Sequence, residues 1–242
     1  MMKEVCIYHI AEQFLFEYYC QPGEYRICEE DHAGELLSKG LSQEKRGGLM
    51  GALQSYEKAL AFNPVSTQIY FRLISVHFRL GQLEELFSRT KEVYPYLSTK
   101  AEMAQYYRWL GYYYLEKYQP ELSAALYRYS TLFSKSAQAE EEIRYLEAAM
   151  DRKLADDSER ELQVKLQKAG IPVTASNVTL ALLYRAGQEA LQHAKDAAGK
   201  NETATAKHWR QQALDCFSMI YDLTEDAQIR EEMEALSRMD LS

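Results

Sequence analysis

Apolar residues recur at helical spacing along most of the chain, and prolines and glycines separate the periodic stretches. The clearest stretch is residues 49–62, where Ala52, Tyr56 and Ala59 share one helix face. Pro64 ends it, because proline cannot continue a helix. The same pattern predicts further helices at 3–20, 31–46, 66–80, 83–94, 101–117, 120–134, 139–150, about 158–169, 176–197 and 226–239. It also predicts a helix that includes residues 213–221.

These helices imply an all-α fold. Asn-Gly turns and clusters of β-branched residues are scarce, and four of the five prolines fall between periodic segments. Asp31 and Ser66 stand where helices begin and are predicted N-caps. Helix 3–20 is expected to cover the near end of the helices that follow it. The longer gap at residues 96–100 is predicted to be an extended turn.

Part of the pattern repeats along the chain. Gly47 and Gly81 are 34 positions apart, and Tyr70 and Tyr107 are 37 apart. Self-similarity near 34 residues is typical of helical hairpins that stack on one another. Each hairpin is too thin to bury its apolar face alone, so stacking supplies the core. The sequence therefore predicts an array of stacked helical hairpins.

Three segments between residues 31 and 136 resemble tetratricopeptide repeats. The matching positions are Gly40, Ala52, Tyr56, Ala59 and Pro64 in the first, Tyr70, Leu73 and Gly81 in the second, and Tyr107, Leu110, Gly111, Tyr114, Ser123, Tyr127 and Ser130 in the third. The departures are Lys39 and Gln43 in the first, and Ile74, Leu86, Thr90 and Val93 in the second. The resemblance implies an α-α superhelix, a right-handed solenoid of hairpins. It also implies three parts: an N-terminal packing helix at 1–30, three repeats at 31–136, and divergent repeat-like helices at 137–242.

The resemblance also implies a binding groove on the concave face of the array. Its positions map to Leu37, Leu41, Phe71, Ser75, Phe78, Arg79, Arg108, Tyr112 and Leu115. Aromatic residues with arginine are typical of peptide-binding hot spots. Leu37 and Leu41 replace the polar residues that the family's carboxylate-binding members use, which argues against recognition of a chaperone tail. An apolar groove could equally be filled by the protein's own terminal helices, and that alternative stays open.

The leading hypothesis is a non-catalytic scaffold that binds a protein or peptide segment in this groove. The alternative is a regulator of the same architecture, whose C-terminal half closes over a small ligand or a signal peptide. An enzyme with its site in the C-terminal half is a third possibility. A pocket that gathers His193, His208 and Cys216 would favour it.

Charge and composition limit the partners. A net charge of −8 with scattered basic residues argues against nucleic acid. The sequence has no apolar run long enough for a membrane span, and its start lacks the features of a signal peptide, so we expect a cytoplasmic protein. Cys6 and His9, with Cys20 and Cys28, lack the ligand spacing of structural zinc sites. We therefore predict no metal and no cofactor.

Overall fold

A computed structural model describes residues 2–238. Within that range the chain is dominated by helices, which confirms the predicted all-α class. The helices are α1 (Ile10–Cys20), α2 (His32–Lys45), α3 (Leu49–Phe62), α4 (Thr67–Arg79), α5 (Leu83–Val93), α6 (Lys100–Glu116), α7 (Pro120–Phe133), α8 (Ala137–Ala149), α9 (Glu159–Lys168), α10 (Asn177–Gly199), α11 (Thr203–Thr224) and α12 (Ala227–Ser237). In this range no helix is long and apolar enough to cross a membrane.

The first helix begins later than predicted, because residues 3–5 form a strand. Strand β1 (Lys3–Val5) pairs in parallel with β2 (Tyr25–Ile27). The backbone N–H of Cys6 then donates to the carbonyl of Phe62, which ties β1 to the end of α3. The prediction of a helix over 3–20 was wrong at its start. Strand pairing across about twenty residues is a long-range contact that local apolar periodicity does not report.

The central helices lie where the sequence predicted them. Helices α2 to α7 begin and end within about one residue of the predicted positions. Asp31 accepts a hydrogen bond from the N–H of Gly34, and Ser66 accepts one from Ile69, so both act as N-caps. The long turn before α6 contains a short 3-10 helix, Tyr94–Tyr96. Helix 226–239 is confirmed as α12, although its predicted last residue, Met239, lies outside the described residues.

Helices α2 to α7 pack as three consecutive pairs: α2 with α3, α4 with α5, and α6 with α7. Additional contacts join α3 to α4 and α5 to α6. A glycine on the first helix of a pair lies against a tyrosine on the second in two of them, Gly40 beside Tyr56 and Gly111 beside Tyr127. These close approaches explain why the small and aromatic positions recur in the sequence.

The C-terminal half departs from this regular order. Helix α8 packs on α7, but α9 also returns to α7. Helices α10 and α11 form a long hairpin, with Gly187 against Phe217, and α12 packs on α11. Helix α1 packs on α10, where the Tyr19 hydroxyl meets Ser176 and Thr179, and its Leu15 and Phe16 also pack with Val65 between α3 and α4. The two ends of the chain are thus packed together.

Candidate functional site

Two of the predicted groove residues and one neighbour form a cluster of aromatic rings between α4 and α6. The Phe78 and Tyr112 rings meet edge to face, with centroids 4.8 Å apart. The Trp109 ring, also on α6, has its centroid 5.7 Å from that of Phe78. Phe78 is 41% exposed although it is a large apolar side chain. We call Phe78, Trp109 and Tyr112 the aromatic surface. The sequence analysis did not predict Trp109 as part of this surface. The signal that could have found it is that it follows Arg108, a predicted groove residue, directly in the chain.

Arg79 borders this surface on the side of α2. Its Nη1 atom lies 3.0 Å from Oε1 of Glu44. The other oxygen of Glu44 accepts a hydrogen bond of 2.8 Å from the Tyr56 hydroxyl. The ion pair therefore joins α4 to α2 through a carboxylate that the α2–α3 hairpin already orients. It is partly exposed, so we expect it to contribute little to stability but to fix the position of the Arg79 side chain.

Arg108 lies on the other side, and its environment is unusual. Its Nη2 atom donates a 2.7 Å hydrogen bond to the carbonyl of Ser134, just past the end of α7. Burial lowers the pKa of Arg108. Its Nε atom and Nε1 of Trp109 are buried and find no acceptor among residues 2–238. A buried donor without an acceptor lowers the stability of the fold by roughly 1–3 kcal/mol. Two such donors beside one surface are therefore unusual.

The other predicted groove residues do not join this cluster. Phe71 is only 8% exposed and packs in the core between the second and third pairs, so it offers no surface for a partner. Leu41 packs against the α2–α3 core, and Leu115 packs with residues of α7 and α8. Leu37 also touches the α2–α3 core and lines a separate cavity, and Ser75 is half-buried. The structure thus brings Phe78 and Tyr112 into contact, while Arg79 pairs with Glu44 and Arg108 with Ser134.

An extended segment of the chain occupies a second apolar surface. Residues 171–175 run across α5, α6 and α7 after α9. Three tyrosine hydroxyls donate to three consecutive carbonyls of this segment, those of residues 172, 173 and 174: Tyr107 at 2.9 Å, Tyr129 at 2.6 Å and Tyr94 at 2.9 Å. Burial raises the pKa of each of these tyrosines, so all three remain donors. The protein therefore covers this surface with its own chain, at a place different from the predicted groove.

A cavity of about 330 Å³ lies where the two ends of the chain meet. Residues of α1, α2, α10 and α11 line it together with the starts of α4 and α6. Its polar groups include Glu12, which accepts hydrogen bonds from the backbone N–H of Tyr8 and the side chain of Asn63. Burial raises the pKa of Glu12 and lowers that of His9, which also lines the cavity.

The candidate catalytic residues of the C-terminal half do not form a reactive group. Cys216 is fully buried between α10 and α11, and burial raises the pKa of its thiol to about 12. His193 and His208 are exposed, and their ring centroids lie 4.6 and 5.4 Å from the ring of Trp209. A protonated thiol without access to solvent is a poor nucleophile.

Comparison with known proteins adds no family assignment. No protein-family model matches the chain, and no curated protein matches it.

Proposed function

We propose that this protein is a cytoplasmic, non-catalytic scaffold that binds a peptide or protein segment on its aromatic surface. The observation that carries the proposal is the half-open cluster of Phe78, Trp109 and Tyr112 between two arginines. Exposed aromatic clusters on a folded chain usually mark an interaction site. Tryptophan, tyrosine and arginine also dominate binding energy at protein interfaces.

The array proposed for α2 to α7 is a right-handed solenoid of tetratricopeptide-like hairpins, with the aromatic surface on its inner wall. Its support is the pairing of consecutive helices and the glycine–tyrosine contacts at Gly40 and Gly111. Three links between alternate helices add to it: Arg79 to Glu44, Phe78 to Tyr112, and Thr67 to Glu102. Such links support an arrangement in which α2, α4 and α6 are the first helices of successive hairpins.

The chemistry of the surface favours a segment with one large apolar side chain and nearby acceptors. An apolar side chain would pack against Phe78 and Tyr112. Backbone carbonyls or a carboxylate would pair with the arginines, which accords with their preference for oxygen acceptors. Small rotations of Arg108 and Trp109 would let a partner's carbonyl accept from Nε and Nε1, which have no acceptor within residues 2–238.

The chain's own residues 172–174 illustrate this mode of binding. There, side-chain donors hold the carbonyls of an extended segment while apolar neighbours pack around it. Binding of this kind uses preformed anchors on rigid helices and does not require added strand pairing. The aromatic surface offers a similar combination of rings and donors in a place that the described chain leaves partly open.

The proposal is tested by selecting ligands and mapping where they bind. Random peptides displayed on phage are selected on the folded protein, and the best peptide is synthesised. Hydrogen exchange is then measured with and without that peptide. We expect slower exchange at the C-terminal turns of α4 and α6, around residues 75–79 and 108–116, and little change in α10 to α12. Protection confined to other helices would reject the aromatic surface as the binding site.

The cavity between the chain ends favours a second candidate, a regulator that binds a small molecule. Its lining is mostly apolar with a few acceptors, so it suits a small apolar molecule carrying a hydrogen-bond donor. Fragments would be screened by ligand-observed NMR against the wild type and against Leu37→Trp, which should fill the cavity. Leu41→Trp, one turn further along α2 and outside the lining, is the control. Fragments that bind Leu37→Trp as well as the wild type would count against this candidate.

A further inference from the structure

Three potential metal ligands meet beside the small sheet. Single donor atoms of Glu4, Cys28 and His32 all lie within 4.8 Å of one another. They belong to three different elements: β1, the residue after β2, and the first residue of α2. The parallel register aligns Glu4 with Arg26, and the N–H of Cys28 donates to the carbonyl of Val5. Backbone pairing therefore determines where Glu4 and Cys28 stand relative to each other.

A second thiol lies next to this group. Burial, and then the neighbouring Cys6 thiol, raise the pKa of Cys28 to about 11. Cys6 is buried, and its sulfur accepts a 3.4 Å hydrogen bond from the N–H of Ala33 at the start of α2. A backbone donor of this kind stabilises a thiolate that binds a metal. Cys6 is therefore a candidate for a fourth donor, beside Cys28 and outside the group of three.

The contacts already made by Glu4 are compatible with coordination. Both hydrogen bonds from Arg26 end on Oε1, one from Nε at 2.8 Å and one from Nη2. Oε2 thus remains for a metal while Arg26 orients the carboxylate from the outside. The imidazole of His32 is also held in position by packing: its ring centroid lies 5.1 Å from that of Phe62. Its Nε2 atom lies 4.0 Å from Oε2 of Glu30, so a ring nitrogen stays available for a metal.

We propose that Cys6, Cys28, His32 and Glu4 form a binding site for a divalent zinc-type cation. Two thiols, one imidazole and one carboxylate are donors that zinc accepts in a tetrahedral arrangement. Bond lengths of about 2.0–2.3 Å would place neighbouring donors roughly 3.5 Å apart. Glu4, Cys28 and His32 would therefore move inward by about 1 Å or less, and Cys6, which lies outside their 4.8 Å group, would move further. Binding would release protons from the two thiols to the solvent.

The position of the site gives it a structural role. A two-stranded sheet with three residues in each strand is at best marginally stable by itself. The cation would tie β1, β2 and α2 together at the edge where β1 contacts the end of α3. The Cys6-x2-His9 group considered from the sequence is not this site. His9 instead caps α1 and stands 3.6 Å from Asp215.

Cobalt titration of the reduced full-length protein tests the proposal. We expect one Co²⁺ per chain, with the absorption of a cobalt–thiolate bond, and displacement of cobalt by one equivalent of Zn²⁺. Cys28→Ser and Cys6→Ser should each remove about half of the thiolate absorption. Glu4→Gln should weaken binding by about tenfold or more. Cys20→Ser is the matched control, because its thiol lies near Tyr96 and outside the site.

Two results would overturn the proposal. One is the lack of thiolate absorption in the reduced wild type. That result is expected if Cys6 and Cys28 are neighbours that can form a disulfide on oxidation but do not bind a metal. The other is an unchanged spectrum in Cys28→Ser, or a spectrum lost equally in Cys20→Ser. Circular dichroism of each variant without metal shows whether the helices are intact, so that a lost spectrum is not mistaken for unfolding.

Discussion

Glycines set the distance between paired helices in this protein. A Cβ atom added at Gly40 would lie 2.3 Å from the Tyr56 ring. Tyr56 cannot move aside, because it is fully buried and its hydroxyl is bonded to Glu44. Gly187 makes a similar approach to Phe217 in the C-terminal hairpin, at 2.9 Å. A close contact between a glycine and an aromatic ring thus also occurs in the α10–α11 hairpin, outside the three segments that resemble tetratricopeptide repeats.

Substitution of Gly40 by alanine should therefore destabilise the fold. Alanine gains about 1 kcal/mol in helix propensity, but a rigid clash in a packed core costs about 1–3 kcal/mol, so we expect a net loss. Urea unfolding measures the difference. Gly199→Ala is the control, since nothing lies within 4 Å of an added Cβ there. Equal stability of the two variants would show that the glycine–tyrosine contact is not tight.

Single residues of the site were predicted only in part from the sequence. Phe78, Arg79, Arg108 and Tyr112 were expected from the resemblance to tetratricopeptide repeats, and in the structure the rings of Phe78 and Tyr112 are in contact. The burial of Phe71 could not be derived in the same way, because buried and exposed side chains occupy adjacent positions of α4. Likewise, Glu4, Cys28 and His32 meet through strand pairing, which their spacing along the chain does not reveal.

At the scale of elements, the segment after α9 acts as a strap over the second and third helix pairs. Its three carbonyls at 172–174 are bound by the hydroxyls of Tyr94, Tyr107 and Tyr129. Leu162, Leu166 and Ile171 bury their side chains in the same core. The sequence predicted α9 and its end near Gly170. It did not show where α9 would pack, because no repeat rule describes this part of the chain.

Removal of the tyrosine hydroxyls should loosen the strap. The double variant Tyr107→Phe/Tyr129→Phe leaves two partly buried carbonyls without these donors, so we expect the free energy of unfolding in urea to fall by about 1–3 kcal/mol. Proteolytic cleavage between residues 151 and 176 should become faster. Tyr113→Phe is the control, because its hydroxyl is exposed and lies 3.5 Å from Glu84. If the double variant were as stable as the control, the strap would not depend on these bonds.

At the scale of the whole molecule, the chain ends tie the C-terminal helices to the array. Ile10 donates from its backbone to the side chain of Gln212, and Lys100 pairs with Asp222 through its backbone and with Glu225 through its ammonium group. Leu180 and Leu223 also pack against the core of the second and third pairs. We therefore expect the parts divided by sequence at residues 30 and 136 to unfold together.

The two tryptophans provide the test, because Trp109 lies on α6 and Trp209 on α11. Trp209→Phe leaves fluorescence that reports on the array, and Trp109→Phe leaves fluorescence from the C-terminal hairpin. In each variant, the urea transition followed by fluorescence should coincide with the one followed by circular dichroism. Midpoints that differ within one variant by more than about 0.5 M urea would indicate parts that unfold separately.

The most direct test of the central claim is the dissociation constant of a selected peptide, measured by fluorescence anisotropy. Truncation of two aromatic anchors should remove well over 1.4 kcal/mol of binding, so Phe78→Ala/Tyr112→Ala should weaken affinity by about tenfold or more. Tyr118→Ala, which truncates a tyrosine that is 93% exposed in the turn after α6, should leave it unchanged. If both variants bound the peptide as tightly as the wild type, the aromatic surface would not be the binding site.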